Sequence, residues 1–431
     1  MTFCLADAES MRLLATRLDE AAGEITRLQG GSVTAGLPLT APRELAHYEG
    51  PLRELVEWCH ASAADLRRRA AVAAQADLIE HGPFAGASPY EALKSAAAGG
   101  VDDELAAFDR LGADGDAAAF FAGLTPGRAL AVALARAGEV GARAGVPFEL
   151  RFAANRHLVR LALAEAVRVG DGAAADRYTK LLAPDRQLLL FDPRGAGRIA
   201  EVLGDLAAAT SVAIMVPGTG SRLANYLRGA GADLRNVHES TARMSGGASA
   251  TIMWVGAELP SGLGAAALRF HAERGASKLR EFTEGLGLQP DVRTTLIGHS
   301  YGSVVTGHAV KAGLHPDNLI AVASPGWGVD FAAELNAPKT RLFAMRHEGD
   351  VIKLVPPVDD VMSVMGIVPP TSIAGHGSDP VYLRGVERLP SGGESTLGVD
   401  MHAHSDYFGH SAASHVATWN IARVVVGEAG R

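Results

Sequence analysis

The sequence predicts a three-layer α/β fold around a mostly parallel sheet, preceded by an α-helical amino-terminal region, and three observations carry that prediction. From Leu188 onward, short β-like runs alternate with helical stretches; the runs are 188–191, 199–203, 212–216, 251–255, 292–297, 319–322 and 341–345. Such alternation favours parallel strands connected by covering helices. The run 292–297 is rich in β-branched residues and leads directly into a Gly-flanked turn and a helical segment, as a buried parallel strand should. Before about residue 187 the apolar residues instead recur at helical spacing.

Taking the elements in order, Met11, Leu14, Leu18, Ile25 and Leu28 keep three, four or seven residue spacing and predict an amphipathic helix over about 7–29, which Gly30-Gly31 ends. Gly50-Pro51 can start a second helix at its first turn, with Leu52, Leu55, Cys59, Leu66, Ala70 and Ala73 as its apolar stripe. Residues 1–82 therefore read as a helical hairpin module. It is either a helix pair packed on the main domain or an interaction module for a protein partner. Residues 83–186 are Ala-rich with short Gly or Pro breaks. Phe108, Leu111, Phe120, Phe121 and Leu124, then Val159, Leu161, Leu163 and Ala166, predict further helices that pack on or cap the sheet domain. Residues 187–431 form the expected catalytic domain. Its first two strands are joined by the tight Asp192-Pro193-Arg194-Gly195 turn as an antiparallel edge. The last helix is expected over 411–426.

A chain of 431 residues with 48% hydrophobic content can bury a large core, and its net charge of −8 leaves no basic footprint for nucleic acid. The cluster Arg67-Arg68-Arg69 is offset by Asp65, Asp77 and Glu80, as on a solvated helix face. No basic segment followed by a long apolar core opens the chain, and no apolar run is long enough to span a bilayer. A cytoplasmic protein is expected, with export that needs no cleaved signal left open. The two cysteines, Cys4 and Cys59, fall roughly 25 Å apart on a simple hairpin at helical rise, so free thiols are expected. There is no C-x-x-C or H-E-x-x-H, no Walker loop, and no G-x-G-x-x-G after any strand, so no metal or cofactor is expected.

The segment Gly298-His299-Ser300-Tyr301-Gly302 lies between predicted strand and helix. It reads as the nucleophile elbow of an α/β-hydrolase, in which a strained turn exposes the Ser and the residues two before and two after must be small, against the plainer reading of a Gly-lined βα turn whose Ser caps the helix. A serine hydroxyl needs a base to take its proton, usually an imidazole held by a carboxylate, and in this fold acid and His follow the Ser in that order. Asp350, just after the run 341–345, is the favoured acid, with Asp330 and Glu348 as alternatives. His404, before the last helix, is the favoured base, with His402, His376 and His410 behind it; His299 should point elsewhere on the elbow, and His308 lies within the following helix. An oxyanion needs two preorganised donors. One is the backbone N–H of Tyr301, and the other is that of Gly218 or Thr219, because Pro217 has none to give. Between Pro356 and Pro390 no period persists, and a long apolar loop between catalytic residues suits a pocket wall or lid. Met362 and Met365 are expected to line the substrate pocket there, against the plainer role of filling core gaps.

Several segments together resemble a known family: Phe191-Asp192-Pro193 with Gly197-Arg198, Val216-Pro217-Gly218-Thr219-Gly220, Thr295 to Ser303 around the elbow, Ser324-Pro325-Gly326, Gly349-Asp350, His376-Gly377 with Asp379-Pro380, and His404-Ser405-Asp406-Tyr407-Phe408. The chain is similar to actinobacterial α/β-hydrolases of unassigned function that carry a G-H-S-Y-G elbow and often a helical amino-terminal extension. The resemblance implies an α/β-hydrolase fold, supports Ser300, Asp350 and His404 as the catalytic set, and supplies no substrate. Val351 stands where the family often has Pro, and Ala403 where Gly often precedes the His. The amino-terminal helices resemble the hairpin modules of mycobacterial-type secretion substrates only loosely, because Trp58-Cys59-His60 lacks the Gly of their Trp-x-Gly turn. The expected activity is cleavage of a small-molecule carboxylic ester, lipid or other acyl ester, through an acyl-enzyme. An amidase, thioesterase or acyltransferase with the same residues, or a silent binding module, are the competing readings.

Overall fold

The computed structural model describes residues 8–31, 53, 55–57, 59–60, 63, 101–112, 115–260, 269–354, 376–393 and 403–428. The chain divides into two compact units, Met1–Ala92 and Leu93–Arg431. In the first unit, helix α1 (Ala8–Gly31) turns Ala15 and Ala22 inward, and Cys59 and Ala63 are also buried. Asp19 of α1 reaches His60 at 3.0 Å, so the two helical stretches of this unit touch. Cys59 is a free thiol.

The second unit begins with short helices α2 (Asp102–Arg110), α3 (Ala117–Ala122), α4 (Pro126–Ala135) and α5 (Ala137–Val140), followed by the long α6 (Phe148–Val169) and α7 (Gly172–Leu181). Asp116 and Asp171 cap α3 and α7 by accepting the backbone N–H three residues on, and Gly170 ends α6 at φ 77°. Rings of Phe108, Phe120 and Phe121, 5.1 to 5.8 Å apart, hold α2 to α3.

Eight strands follow: β1 (Gln187–Asp192), β2 (Arg198–Leu203), β3 (Ser211–Val216), β4 (Ser249–Val255), β5 (Arg293–His299), β6 (Asn318–Val322), β7 (Arg341–Met345) and β8 (Val386–Arg388). Their order is β1-β2-β4-β3-β5-β6-β7-β8. β2 runs antiparallel to both neighbours and the rest of the sheet is parallel. The predicted antiparallel edge is present. Asp192 closes its turn by accepting from the Arg194 backbone and from the Arg194 and Arg198 guanidinium groups. The strand missed by sequence reading is β8, three residues with little burial and hence no usable period.

Alternation along the central strands splits the core into two layers. On one face Met215, Met253, Ile297, Ile320 and Phe343 pack with α6, α7, α8 (Ala230–Ser245) and α11 (Ala412–Val426). On the other, Ile214, Ile252, Trp254, Leu296 and Leu319 meet α9 (Arg269–Glu284) and α10 (Tyr301–Lys311). The β1 edge is sealed by α6. Buried Arg151 donates to the Leu189 carbonyl at 3.2 Å and Asn155 to the Leu188 carbonyl at 3.0 Å, giving edge backbone groups the partners a further strand would have supplied.

Candidate active site

At the carboxyl end of β5 the chain turns sharply into α10, and Ser300 sits on that turn at φ 52°, ψ −128°. A non-glycine residue held there costs on the order of 1–3 kcal/mol and persists only when its surroundings impose it. They do so by crowding. A Cβ at Gly298 would overlap the backbone of Ser303, and one at Gly302 would overlap the carbonyl oxygens of Val216 and Pro217. Ser303 Oγ donates to the Ser300 carbonyl at 2.6 Å and lies 2.6 Å from Ser324 Oγ, tying the elbow to the loop after β6. Replacing Gly302 with Ala should therefore lower stability by about 1–3 kcal/mol. The check is a fall in Tm accompanied by loss of function, because relief of the overlap displaces the loop after β3.

The Ser300 hydroxyl is 2.9 Å from His404 Nε2, and His404 Nδ1 is 2.9 Å from Asp350 Oδ1. Three side chains separated by up to 104 residues thus form one continuous hydrogen-bonded line, with Ser300 almost enclosed and Asp350 fully buried. Asp350 leaves the end of β7, and His404 comes from the segment that leads into α11, whose first turn is capped by Ser411. Burial alone would raise the Asp350 carboxyl. Hydrogen bonds from His404, the Ile352 amide and the Tyr407 hydroxyl outweigh it and hold the group below the usual carboxylate value.

The other sequence candidates lie elsewhere. Asp330 is exposed and is 3.5 Å from the Ser378 hydroxyl; Glu348 is exposed. His410 is exposed, while His376 is buried edge-on against Tyr301 and uses its carbonyl to accept from the Gly328 amide. His402, and both Met362 and Met365 of the expected pocket wall, lie outside the described residues. Gly218 lies in the loop after β3, where a Cβ on it would come 2.8 Å from Ser300 Cβ, so its backbone runs directly beside the serine. Thr219 follows it. Tyr301 is the first residue of α10, a position whose N–H has no acceptor within the helix.

Sequence reading assigned no role to Tyr407. It is fully buried, donates to Asp350 Oδ2 at 2.7 Å, accepts from the His347 amide at 2.7 Å, and stacks on the His347 ring at 4.0 Å. His347 Nε2 in turn donates to the Asp406 carbonyl at 3.1 Å. The acid loop and the His404 segment are therefore locked together on both sides of Tyr407. The available signal was its place in His404-Ser405-Asp406-Tyr407-Phe408, three residues beyond the candidate base. Among the described residues no group of three or more His, Cys, Asp or Glu could hold a metal ion, and no helix is long and apolar enough to cross a membrane.

Residues 192–360, which carry Ser300 and Asp350 but not His404, match a family model described as alpha/beta hydrolase. The Mycobacterium tuberculosis protein Rv0963c, itself uncharacterised, is 29% identical over 185 residues, covering 39% of this chain and 68% of the relative. Rv2079 of the same organism, also uncharacterised, is 26% identical over 242 residues, 51% of this chain but only 36% of that relative's length. Among solved structures, the chain is similar to a CIB-like hydrolase from Thermoplasma acidophilum (12% identity, 56% of this chain and 96% of that one, TM-score 0.34). It is also similar to carboxyl esterase 2 from Tuber melanosporum (13% identity, 56% and 85%, TM-score 0.33). With the strand order and the family match together, the fold is the α/β-hydrolase fold, joined to an amino-terminal helical region.

Proposed function

We propose that this chain is a serine hydrolase that cleaves carboxylic esters through an acyl-enzyme. The observation that carries the reading is the unbroken line from Ser300 through His404 to Asp350, with both contacts at 2.9 Å and the serine held on a strained turn. In this reading the Ser300 oxygen attacks the ester carbonyl carbon while His404 Nε2 takes the hydroxyl proton. The resulting oxyanion accepts hydrogen bonds from the Tyr301 amide and from the Gly218 or Thr219 amide. Collapse breaks the bond to the leaving alcohol, which receives the proton from His404. A water then repeats the sequence on the acyl-enzyme and releases the acid. Asp350 accepts from His404 Nδ1, which leaves Nε2 unprotonated to act as base, and its negative charge stabilises the imidazolium formed at each transfer.

The test is turnover of p-nitrophenyl esters of graded acyl length, together with labelling by a fluorophosphonate probe and mapping of the labelled residue. Ester turnover with label on Ser300 is expected. Label elsewhere, or none, rejects the reading. Thioester and amide analogues of the best acyl group then rank the neighbouring activities that the same residues could support.

Tyr407 offers a finer check. Tyr407→Phe removes the donor to Asp350 Oδ2 and the acceptor of the His347 amide, and kcat should fall roughly tenfold, a loss of about 1.4 kcal/mol in the transition state. The lowered Asp350 carboxyl stabilises the fold above the ordinary carboxylate range, and that contribution is lost as pH falls through the lowered value. Removing the Tyr407 donor brings the folded-state value back toward the unfolded one, so the acid-dependent fall in Tm should be smaller in the variant than in the wild type and should end at a higher pH.

A further inference from the structure

The residue just before the serine has a place that the proposed chemistry has not yet used. Along β5 the side chains alternate, so Ile297 and His299 face the layer of α8 and α11 while Leu296 and Gly298 face α10. The segment bearing His404 enters α11 on that same side. His299 therefore projects beneath the very segment that must present the base.

The contact is specific. His299 Nε2 is 3.1 Å from the His404 carbonyl oxygen. A carbonyl can only accept, so Nε2 carries the hydrogen, and in the neutral ring Nδ1 does not. The ring also meets Phe408 edge-on at 5.3 Å and lies 5.5 Å from the His404 ring, centroid to centroid. His404 is thus held at two points by adjacent residues. Its ring meets the Ser300 hydroxyl at 2.9 Å and its main chain meets His299 at 3.1 Å. We propose that His299 is a positioning residue that fixes the distance between nucleophile and base by anchoring the main chain of His404; this rests on the serine-hydrolase reading above.

The closed circuit explains why the anchor is effective. It runs from Ser300 Oγ through the His404 side chain to its carbonyl, across to His299, and back along one peptide bond to Ser300. A shift of the His404 main chain must break the His299 bond before it can lengthen the Ser300 contact. The anchor also has to stay neutral. A charge on His299 would oppose the imidazolium that forms on His404 during proton transfer, and burial together with the neighbouring His404 ring keeps the His299 pKa down at about 4.

The test compares His299→Met, which fills similar volume without a donor, with His299→Gln, whose amide nitrogen can take the place of Nε2. The Met variant should lose about 10- to 100-fold in kcat at unchanged KM, the scale expected for a misplaced reacting group. It should be inactivated by the fluorophosphonate more slowly in the same proportion, counted per titratable Ser300. The Gln variant should stay within about threefold of wild type. A purely structural role would lower Tm and the titratable fraction while leaving the rate per titrated site intact, and that result overturns the proposal, as does a Gln variant no faster than Met. Imidazole 15N spectra of the wild type give a reading that needs no variant to fold: a neutral His299 ring protonated on Nε2 at pH 7 is expected, and a charged or Nδ1-protonated ring overturns the anchor. Wild-type protein that is never labelled at Ser300 rejects the hydrolase reading itself. Labelled wild type with an unaffected Met variant rejects only the anchor.

Discussion

Ser300→Ala should keep its fold and lose ester turnover by on the order of 10⁴-fold or more, the usual consequence of deleting the nucleophile from a coupled catalytic set. The two halves of this expectation have separate causes. The elbow is imposed by Gly298, Gly302 and the Ser303 bond to the residue 300 carbonyl, none of which involves the hydroxyl. The hydroxyl's bond in the resting site is to His404, which retains its Nδ1 contact with Asp350 when the hydroxyl is gone. Stability should therefore fall by no more than the net worth of one hydrogen bond, about 0.5–1.5 kcal/mol, with a correspondingly small fall in Tm. Calorimetry alongside p-nitrophenyl butyrate assays separates the two halves. Turnover close to wild type in a folded Ala variant removes Ser300 from the mechanism, while a variant that melts far earlier would show that the hydroxyl also holds the elbow together.

What could be read from the chain follows the range of the interactions concerned. The seven predicted strands lie in the sheet because burial on both faces leaves a local trace, a short β-branched or apolar run, in each of them. The elbow was legible for the same reason, since a strained serine needs small neighbours at fixed offsets and Gly298 and Gly302 supply them. β8 left no trace, because a three-residue edge strand reading Val-Glu-Arg is held by pairing with β7 rather than by its own composition. The geometry around the candidate site was the least legible part. Sequence order singled out Asp350 and His404, but the Tyr407 bond to Asp350 spans 57 residues and the His299 bond to the His404 carbonyl spans 105. Nothing local distinguishes a tyrosine that orients a carboxylate from one that fills a core. His299 was expected only to point elsewhere on the elbow; the pleat of β5 turns it toward the His404 segment, and only the fold shows that contact.

The same long-range geometry sharpens the choice of acid. Asp350→Asn should reduce kcat by on the order of 10³- to 10⁴-fold, while Asp330→Asn should stay within about twofold of wild type. The hydrogen bonds predict how the loss arises. Asp350 Oδ1 accepts from both the Ile352 amide at 2.8 Å and His404 Nδ1 at 2.9 Å, whereas Oδ2 accepts from the Tyr407 hydroxyl. An Asn side chain meets two donors on one side and one on the other, so its oxygen should settle on the Oδ1 side and its amide group against Tyr407 Oη. In that pose His404 keeps its tautomer and loses only the negative charge opposite the forming imidazolium; in the flipped pose it loses both. Combining Asp350→Asn with Tyr407→Phe tells the poses apart. If the Asn side chain already holds the first pose, the double variant should match Asp350→Asn alone; if it is flipped, loss of the Tyr407 donor lets its oxygen turn back toward His404 and the double variant should be faster. If Asp330→Asn proves the more damaging substitution, the acid belongs to the loop after β6 and the line through Asp350 is structural.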